Sequence, residues 1–121
     1  MTYALVIEDS PEVAANLCRM LQEIGVESHA ALSVREAFFR LLDHRPDIVF
    51  LDIMMPGFDG FEVLSYLNRE PGYRSLPVCI VSSEDSDEII QKARRAGVIG
   101  YIVKPASIEE FEKVLQKAKL I

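Results

Sequence analysis

The segment IVFLDIMMPGFDG at residues 48–60 combines an apolar run, a carboxylate and a turn. Its first four residues are apolar and partly β-branched or aromatic, and a proline precedes them at position 46. Such a short apolar run is typical of a strand that is buried on both faces in a parallel sheet. The run ends at Asp52, and the proline and glycine that follow it predict a turn. Taken alone, an Asp at this position would most often do no more than end the strand. A functional role for Asp52 therefore depends on the rest of the chain.

The composition indicates a globular protein. The chain has 121 residues, of which 50% are hydrophobic and 26% charged, with a net charge of −6. This size suits one domain spanning residues 1–121. The absence of a basic stripe argues against direct nucleic acid binding by this segment. No apolar run approaches the length of a membrane span and the N-terminus lacks a basic signal region, so we expect a soluble cytoplasmic protein with no membrane partner.

Short apolar runs alternate with amphipathic stretches along the whole chain. The predicted strands lie near residues 3–7, 27–31, 48–51, 78–81 and 100–103, with the second one weak and at an edge. Each is followed by a predicted helix, whose start is marked by Ser10-Pro11, Ser33, Asp59, Ser86 or Ser107. The spacings Ser33–Glu36, Asp59–Glu62 and Ser107–Glu110 predict capping boxes. This alternation predicts an α/β fold with a parallel sheet and helices on both faces.

Two further expectations concern apolar residues. The inward stripe of the second helix is predicted to include Leu41 and Leu42. Cys18 and Cys79 have no metal-ligand spacing and are expected to be buried thiols in a reducing compartment.

Polar residues follow four of the five predicted strands at their carboxyl ends. They are Glu8 and Asp9, Asp52, Ser82 and Ser83, and Lys104. Because the carboxyl ends of parallel strands meet at one edge of the sheet, these side chains are expected to converge. Two carboxylates ~4 Å apart repel by about 4 kcal/mol at an effective dielectric of about 20. Mg²⁺ or Mn²⁺ would offset this repulsion and prefers such oxygen ligands, whereas the alternative is a solvated acidic rim without metal.

This set of residues is suited to phosphoryl transfer. Asp52 can attack phosphorus as a nucleophile, which would give an aspartyl phosphate. Phosphoryl transfer needs mostly positioning and charge neutralisation, which a metal and Lys104 would supply.

The chain resembles the receiver domain of two-component response regulators over essentially its whole length. The motifs that carry the resemblance are Glu8-Asp9, Asp52-Ile53-Met54-Met55-Pro56-Gly57 with Asp59-Gly60, Ser82, and Lys104-Pro105. The resemblance implies a flavodoxin-like (βα)5 doubly wound sandwich with a five-stranded parallel sheet of order 2-1-3-4-5, whose switch point lies between strands one and three.

The resemblance also implies a phosphoacceptor and a metal site. Asp52 would accept the phosphoryl group. Asp9, Asp52 and the backbone carbonyl of Met54 would bind Mg²⁺ directly, and Glu8 would hold it through water. The partner would be a sensor histidine kinase or a phosphotransfer protein, and the domain would be regulatory rather than an enzyme acting on outside substrates.

Other residues are implied to respond to the phosphoryl group. Lys104 would pair with it, and Ser82 would hydrogen-bond one of its oxygens. Tyr101 matches the aromatic switch position, although it could be only a half-buried strand aromatic. The bond between Lys104 and Pro105 would be cis. The surface formed by helix four, strand five and helix five would then change shape, and it permits a homodimer without requiring one.

The sequence departs from the common family pattern at three places. Ser83 and Ala106 stand where Ala and a larger apolar residue, respectively, are frequent, and the first acid pair is Glu8-Asp9 rather than two aspartates. Access to the phosphoryl group and the choice of dimer face are therefore open.

Three rival functions each require a different set of residues. A phosphatase of the haloacid dehalogenase type needs an Asp two residues after the nucleophile, where this chain has Met54. A flavodoxin would need a phosphate-binding loop after strand one, where Glu8-Asp9 would repel phosphate. A degenerate receiver that only docks would lack the acceptor, an acid or the lysine. The output pathway stays open, as does the choice between a stand-alone regulator and one domain of a longer protein.

Overall fold

The computed structural model describes residues 1–121 as five strands that alternate with five helices. The elements are β1 (Tyr3–Ile7), α1 (Pro11–Ile24), β2 (Glu27–Ala31), α2 (Val34–Asp43), β3 (Ile48–Leu51), α3 (Gly60–Arg69), β4 (Val78–Ser82), α4 (Asp87–Arg95), β5 (Gly100–Val103) and α5 (Ile108–Lys117). The alternation predicted from the apolar periodicity is therefore confirmed.

The sheet has the strand order β2-β1-β3-β4-β5, and every neighbouring pair is parallel. The flavodoxin-like order is confirmed, and β2 lies at an edge as predicted. Strands β1, β3 and β4 are buried along their whole length because helices cover both faces of the sheet. In the register, Ile7 at the end of β1 lies opposite Leu51 at the end of β3. The residues that follow these two strands therefore leave the sheet side by side.

Two hydrophobic cores pack against the two faces of the sheet. One includes Leu5, Leu51 and Ile80 together with buried residues of α2, α3 and α4. The other includes residues of α1 and α5, and in it the ring of Phe50 meets that of Phe111 edge to face with centroids 4.9 Å apart. The strands are thereby clamped from both sides, which holds their carboxyl ends in fixed relative positions.

The predicted helix starts are observed, but two of the three predicted capping boxes are not formed. At α3 the Asp59 carboxylate accepts from the N–H of Phe61 and not from that of Glu62. At α5 the capping box is complete, since Ser107 and Glu110 each accept from the other's backbone N–H. At α2 the Ser33 hydroxyl accepts from the N–H of Glu36 as predicted, but the Glu36 carboxylate accepts from the N–H of Leu32, at 3.3 Å. The other oxygen of Glu36 lies 3.9 Å from the Arg40 guanidinium, so this carboxylate is shared between the helix start and the next turn.

Two burial predictions were wrong. Leu42 is 81% exposed, and its neighbour Phe39 is 72% exposed. Leu42 lies about 100° around the helix from the buried Leu41, and no other element covers that side of α2. Cys18 is half buried, whereas Cys79 is buried as expected and burial raises the pKa of its thiol far above the usual value.

None of the helices combines the length and the apolar composition that crossing a membrane would require.

Candidate functional site

Three acidic side chains converge at the carboxyl ends of β1 and β3. The N–H of Asp52 donates to the carbonyl of Ile7 at 3.0 Å, which extends the pairing of the two strands by one residue. Carboxylate oxygens of Glu8, Asp9 and Asp52 all lie within 4.8 Å of one another. The convergence predicted from the strand ends is therefore present in the fold.

Two of these carboxylates are removed from solvent. Glu8 is 2% exposed and Asp52 is 5% exposed, whereas Asp9 lies nearer the surface. A buried charge is costly unless it is paired and hydrogen-bonded. The Lys104 Nζ donates to Asp52 Oδ2 at 2.9 Å and also to Glu8 Oε1. Lys104 is thus the counter-ion of both buried acids.

The pKa shifts follow from this arrangement. Burial lowers the pKa of Lys104, but its hydrogen bonds to Glu8 and Asp52 outweigh burial and raise the pKa above its usual value. Burial raises the pKa of Glu8, and the nearby Asp52 adds to this, although Lys104 and the N–H of Ser10 favour the ionised form. The lysine therefore stays charged at neutral pH, in a site that carries more negative than positive charge.

Backbone N–H groups fix the orientation of the two buried carboxylates. Asp52 Oδ1 accepts from the N–H of Met54 at 2.8 Å, and Glu8 Oε2 accepts from the N–H of Ser10 at 3.0 Å. In both cases a backbone N–H donates to the carboxylate two residues earlier in the chain, and for Asp52 this is the turn typical of Asp and Asn side chains. We did not predict them, although the turn signals after each strand could have indicated them. One oxygen of Asp52 is consequently held by the backbone and the other by Lys104.

A close contact between α3 and the loop after β3 supports Asp52. A Cβ atom built on Gly60 would lie 2.5 Å from the Cα of Ile53, which is shorter than real contacts allow. Only glycine fits here, because the first turn of α3 packs directly against the backbone next to Asp52. This packing role of Gly60 was also missed, since a glycine at a helix start does not by itself indicate what lies against it.

Ser82 and Tyr101 are linked through the backbone of Glu84. Ser82 is fully buried, and its hydroxyl oxygen accepts from the N–H of Glu84 at 3.2 Å. The Tyr101 hydroxyl donates to the carbonyl of Glu84 at 2.7 Å, and burial raises the pKa of this phenol. Ser83 is exposed. The two residues expected to respond to a phosphoryl group are thus joined through the backbone N–H and C=O of a single residue in the loop after β4.

The remaining predicted residues have varied positions. The side chain of Met54 is 57% exposed, so it approaches Asp52 through its backbone only. The Lys104–Pro105 peptide bond is cis, and the N–H of Lys104 donates to the carbonyl of Ser82 at 2.9 Å. His29 and His44 are exposed and flank Tyr3 at the opposite end of β1, far along the strand from the acidic cluster.

The donor set fits a hard divalent cation. Three carboxylates meet within 4.8 Å, and only Lys104 balances them. Oxygen ligands with excess negative charge are what Mg²⁺ and Mn²⁺ prefer. Glu8, Asp9 and Asp52 are the residues that could hold such an ion.

A family model, a curated protein and a solved structure all match nearly the whole of this chain. The family model described as the response regulator receiver domain matches residues 4–116. The protein PilG of Pseudomonas aeruginosa is 32% identical over 106 residues, which cover 88% of this chain and 78% of PilG. The solved structure of the chemotaxis protein CheY4 of Vibrio cholerae has a TM-score of 0.88 and 30% identity and covers 98% of both chains.

Some curated relatives are much longer than this chain. The two-component response regulator ORR21 of Oryza sativa is 31% identical over 114 residues, yet the match covers only 16% of that protein. The similarity therefore concerns one domain of such relatives, not their whole activity.

Proposed function

Because the chain belongs to the response regulator receiver family of two-component systems, we propose that Asp52 accepts a phosphoryl group from a phosphohistidine. The donor would be a sensor histidine kinase or a phosphotransfer protein. The observation that carries the proposal is the pair of hydrogen bonds on Asp52. Lys104 Nζ lies 2.9 Å from Oδ2 and the Met54 N–H lies 2.8 Å from Oδ1, so a buried carboxylate is held between a cation and a backbone donor.

In the proposed transfer, a carboxylate oxygen of Asp52 forms a bond to phosphorus while the bond from phosphorus to the imidazole nitrogen breaks. The released imidazole takes up a proton from solvent. Lys104 is placed to neutralise the transferred charge, because its ammonium already contacts Asp52 and is part of the same buried cluster. Positioning and charge neutralisation are what phosphoryl transfer chiefly requires.

The proposed direct metal ligands are Asp9, Asp52 and the backbone carbonyl of Met54, and Glu8 would hold the ion through water. When bound, Mg²⁺, or Mn²⁺ in its place, would supply positive charge at the phosphoryl oxygens. The support for this site is the excess of carboxylates over cations at the edge of the sheet.

The proposed response runs through Ser82 and Tyr101. Ser82 accepts from the N–H of Glu84, and Tyr101 donates to the carbonyl of the same residue, so a shift of Ser82 toward a phosphoryl oxygen would be passed to Tyr101 through this loop. The surface of α4, β5 and α5 would then change. Shifting a conformational equilibrium from about 1:99 to about 99:1 needs about 5.5 kcal/mol, so several contacts have to change together.

We further propose that residues 1–121 act as one cytoplasmic regulatory unit, without turnover of outside substrates and without direct nucleic acid binding. A homodimer through the α4-β5-α5 surface is compatible with this role. The haloacid dehalogenase reaction is disfavoured because Met54, an exposed apolar side chain, stands where that reaction needs a carboxyl group.

Intact-protein mass spectrometry after incubation with acetyl phosphate and Mg²⁺ tests the proposal. We expect one added phosphoryl group on the wild type and on an Asp43→Asn control, whose carboxylate is exposed at the end of α2. The adduct should be absent with EDTA and in the Asp52→Asn variant. No adduct under conditions that label another receiver would favour a domain that only docks.

The response has its own test, because phosphorylation and switching are separable. The double variant Ser82→Ala, Tyr101→Ala should lose phosphorylation-dependent binding of the partner. If binding still depended on phosphorylation in this variant, the route through Ser82 and Tyr101 would be wrong.

A further inference from the structure

A second feature of the molecule lies on α2 and α3 rather than at the acidic cluster. Phe39 and Leu42 are 72% and 81% exposed and, being three residues apart, lie on neighbouring positions of one helix side. Beside them is a groove of about 340 Å³, lined only by hydrophobic and aromatic residues: Phe38, Leu41, Leu42, Tyr66 and Tyr73. Large apolar side chains exposed next to such a groove are unusual on a soluble surface unless something binds there.

The aromatic wall of this α2–α3 groove is held in place by its own contacts. The ring of Phe38 meets that of Tyr66 edge to face with centroids 4.9 Å apart, and the Tyr73 ring lies 6.5 Å from that of Tyr66. The Tyr73 hydroxyl donates to the carbonyl of Leu41 at 3.3 Å, which links the loop after α3 to α2. The groove is therefore formed before any partner binds, which lowers the entropic cost of binding.

Arginines border the groove. Arg35 lines a hollow together with Glu36, Phe39 and Leu42, and the Glu36 carboxylate is already engaged by the N–H of Leu32 and by Arg40. The Arg69 guanidinium lies 5.9 Å from the centre of the Tyr66 ring. The side chain of Arg45 donates to the carbonyl of Gly72, next to Tyr73, at 3.0 Å.

These arginines lack acidic partners. None of Arg35, Arg45 and Arg69 has a carboxylate within 4.0 Å, although the chain carries a net charge of −6. Carboxylates of a partner would supply the ion-pair partners that these three arginines lack.

We propose that the α2–α3 groove binds an amphipathic helix of a partner protein that carries carboxylates beside its apolar face. The stretch from Arg35 to Leu42 spans two helical turns, about 10 Å. A partner helix with apolar residues at positions i, i+3 or i+4, and i+7 covers that length. Its apolar residues would pack on Phe39 and Leu42 and into the groove, and its carboxylates would pair with the arginines.

A second copy of this chain fits the same surface poorly. Arg35 lies in the first turn of α2, the exposed Asp43 ends the helix, and Arg45 follows it. A parallel pair of such helices would place like charges against each other. An antiparallel pair would bring Arg35 of one copy near both Asp43 and Arg45 of the other, so attraction and repulsion would largely cancel. An anionic membrane is also a poor occupant, because three arginines border the groove, fewer than the clusters of about four to eight basic residues that bind anionic membranes.

Fluorescence anisotropy with two designed peptides tests the proposal. One is a labelled 18-residue alanine-based helix with leucines at i, i+3 and i+7 and glutamates beside them, and the other has lysines in place of the glutamates. We expect the full chain to bind the glutamate peptide and not the lysine peptide. Arg35→Glu combined with Arg69→Glu should reverse that preference.

The apolar contact is tested by Leu42→Ser, with Ile121→Ser as a matched change of another exposed residue. Leu42→Ser should weaken binding by ~10-fold or more, about the effect of removing one buried apolar anchor, whereas Ile121→Ser should not. Because Leu42 is exposed, the variant should keep the wild-type circular dichroism spectrum and rate of phosphorylation by acetyl phosphate.

Three results would overturn the proposal. The first is equal binding of both peptides, or binding of neither. The second is sedimentation that reveals a dimer abolished by Leu42→Ser, which would make a second copy the occupant. The third is cosedimentation of the wild type, but not Leu42→Ser, with phosphatidylserine-containing vesicles, which would make a membrane surface the occupant.

Discussion

At the scale of single residues, Lys104 has the largest effect on the site. It is the only cation in contact with Glu8 and Asp52, and both of these carboxylates are almost fully buried. Pairing buried charges need not stabilise a protein, but removing one partner leaves an uncompensated charge. The electrostatics of this cluster therefore depend on this one ammonium group.

Lys104→Met should lower the free energy of unfolding at pH ~7 without divalent cations by about 1–3 kcal/mol. This is below the cost of breaking a fully buried pair, because the lysine retains some exposure and water screens part of the repulsion. Urea denaturation in EDTA measures the effect. Lys117→Met, at the exposed end of α5, is the matched control and should change little.

Adding Glu8→Gln to Lys104→Met removes the carboxylate that repels Asp52, so the double variant should recover part of the lost stability. A Lys104→Met variant as stable as the wild type would show that the two buried acids tolerate each other without the lysine.

Tyr3 provides a prediction about pH at the other end of β1. Burial raises the pKa of its phenol, and Glu27 and Asp43 add to this effect against the opposing influence of Arg40. A raised folded-state pKa contributes stability that is fully present below the unfolded value of about 10 and is lost as the pH rises through the folded value. Stability should therefore fall above pH ~10 in part because Tyr3 resists ionisation.

Tyr3→Phe keeps the ring between His29 and His44 but removes the ionisable group. The wild type should lose more unfolding free energy than this variant between pH ~9 and pH ~11, measured by urea denaturation. Equal losses in the two proteins would mean that ionisation of Tyr3 does not oppose folding.

At the scale of elements, the loop between β3 and α3 connects packing with chemistry. It starts at Asp52, is held by the Met54 N–H, and ends where Gly60 packs against Ile53. A helix that approaches the loop this closely restrains the backbone on which the proposed phosphoacceptor sits. Changes to the first turn of α3 should therefore affect Asp52.

Gly60→Ala should destabilise the protein by about 1–3 kcal/mol, the usual cost of overpacking, since its Cβ would lie 2.5 Å from the Cα of Ile53. It should also slow phosphorylation of Asp52 by acetyl phosphate, because the loop has to shift. Thermal denaturation and labelling kinetics measure the two effects. Gly72→Ala is the matched control, because no atom lies within 4 Å of the added Cβ.

If Gly60→Ala were as stable as the wild type, α3 would be able to move away from the loop at little cost. If it lost stability but kept the wild-type rate of labelling, the position of Asp52 would not depend on that contact.

At the scale of the whole molecule, the sheet order collects charges from distant parts of the chain. Strands β1 and β3 lie next to each other in the centre, so acids that follow them meet in space. The fold thus builds a cluster of three carboxylates that is short of positive charge. Any cation that binds the folded state there, and not the unfolded chain, will stabilise the whole domain.

Mg²⁺ should therefore raise the free energy of unfolding, by about 2.7 kcal/mol when its concentration is about 100 times its dissociation constant. Urea denaturation with Mg²⁺ and with EDTA measures the difference. The increase should be lost in Asp9→Asn and kept in Asp43→Asn, whose carboxylate lies on α2 away from the cluster. An equal increase in all three proteins would indicate general ionic screening instead of a site.

The type and order of the elements, and the residues at the strand ends, can be read from the amino-acid sequence. Apolar spacing, helix caps such as Ser107 and turn residues such as Pro56 act over a few neighbouring positions, so they can be recognised locally. Asp52 and Lys104 were identified in this way, with the aid of the family resemblance.

The interactions among those residues depend on the three-dimensional arrangement of the elements. Lys104 is 52 residues from Asp52 and 96 from Glu8, and no local pattern predicts that one ammonium group contacts both. The exposure of Leu42 and the contact of Gly60 with Ile53 likewise depend on which elements lie beside α2 and α3. Periodicity specifies the faces of a helix, whereas the arrangement of the neighbouring elements determines which faces are covered.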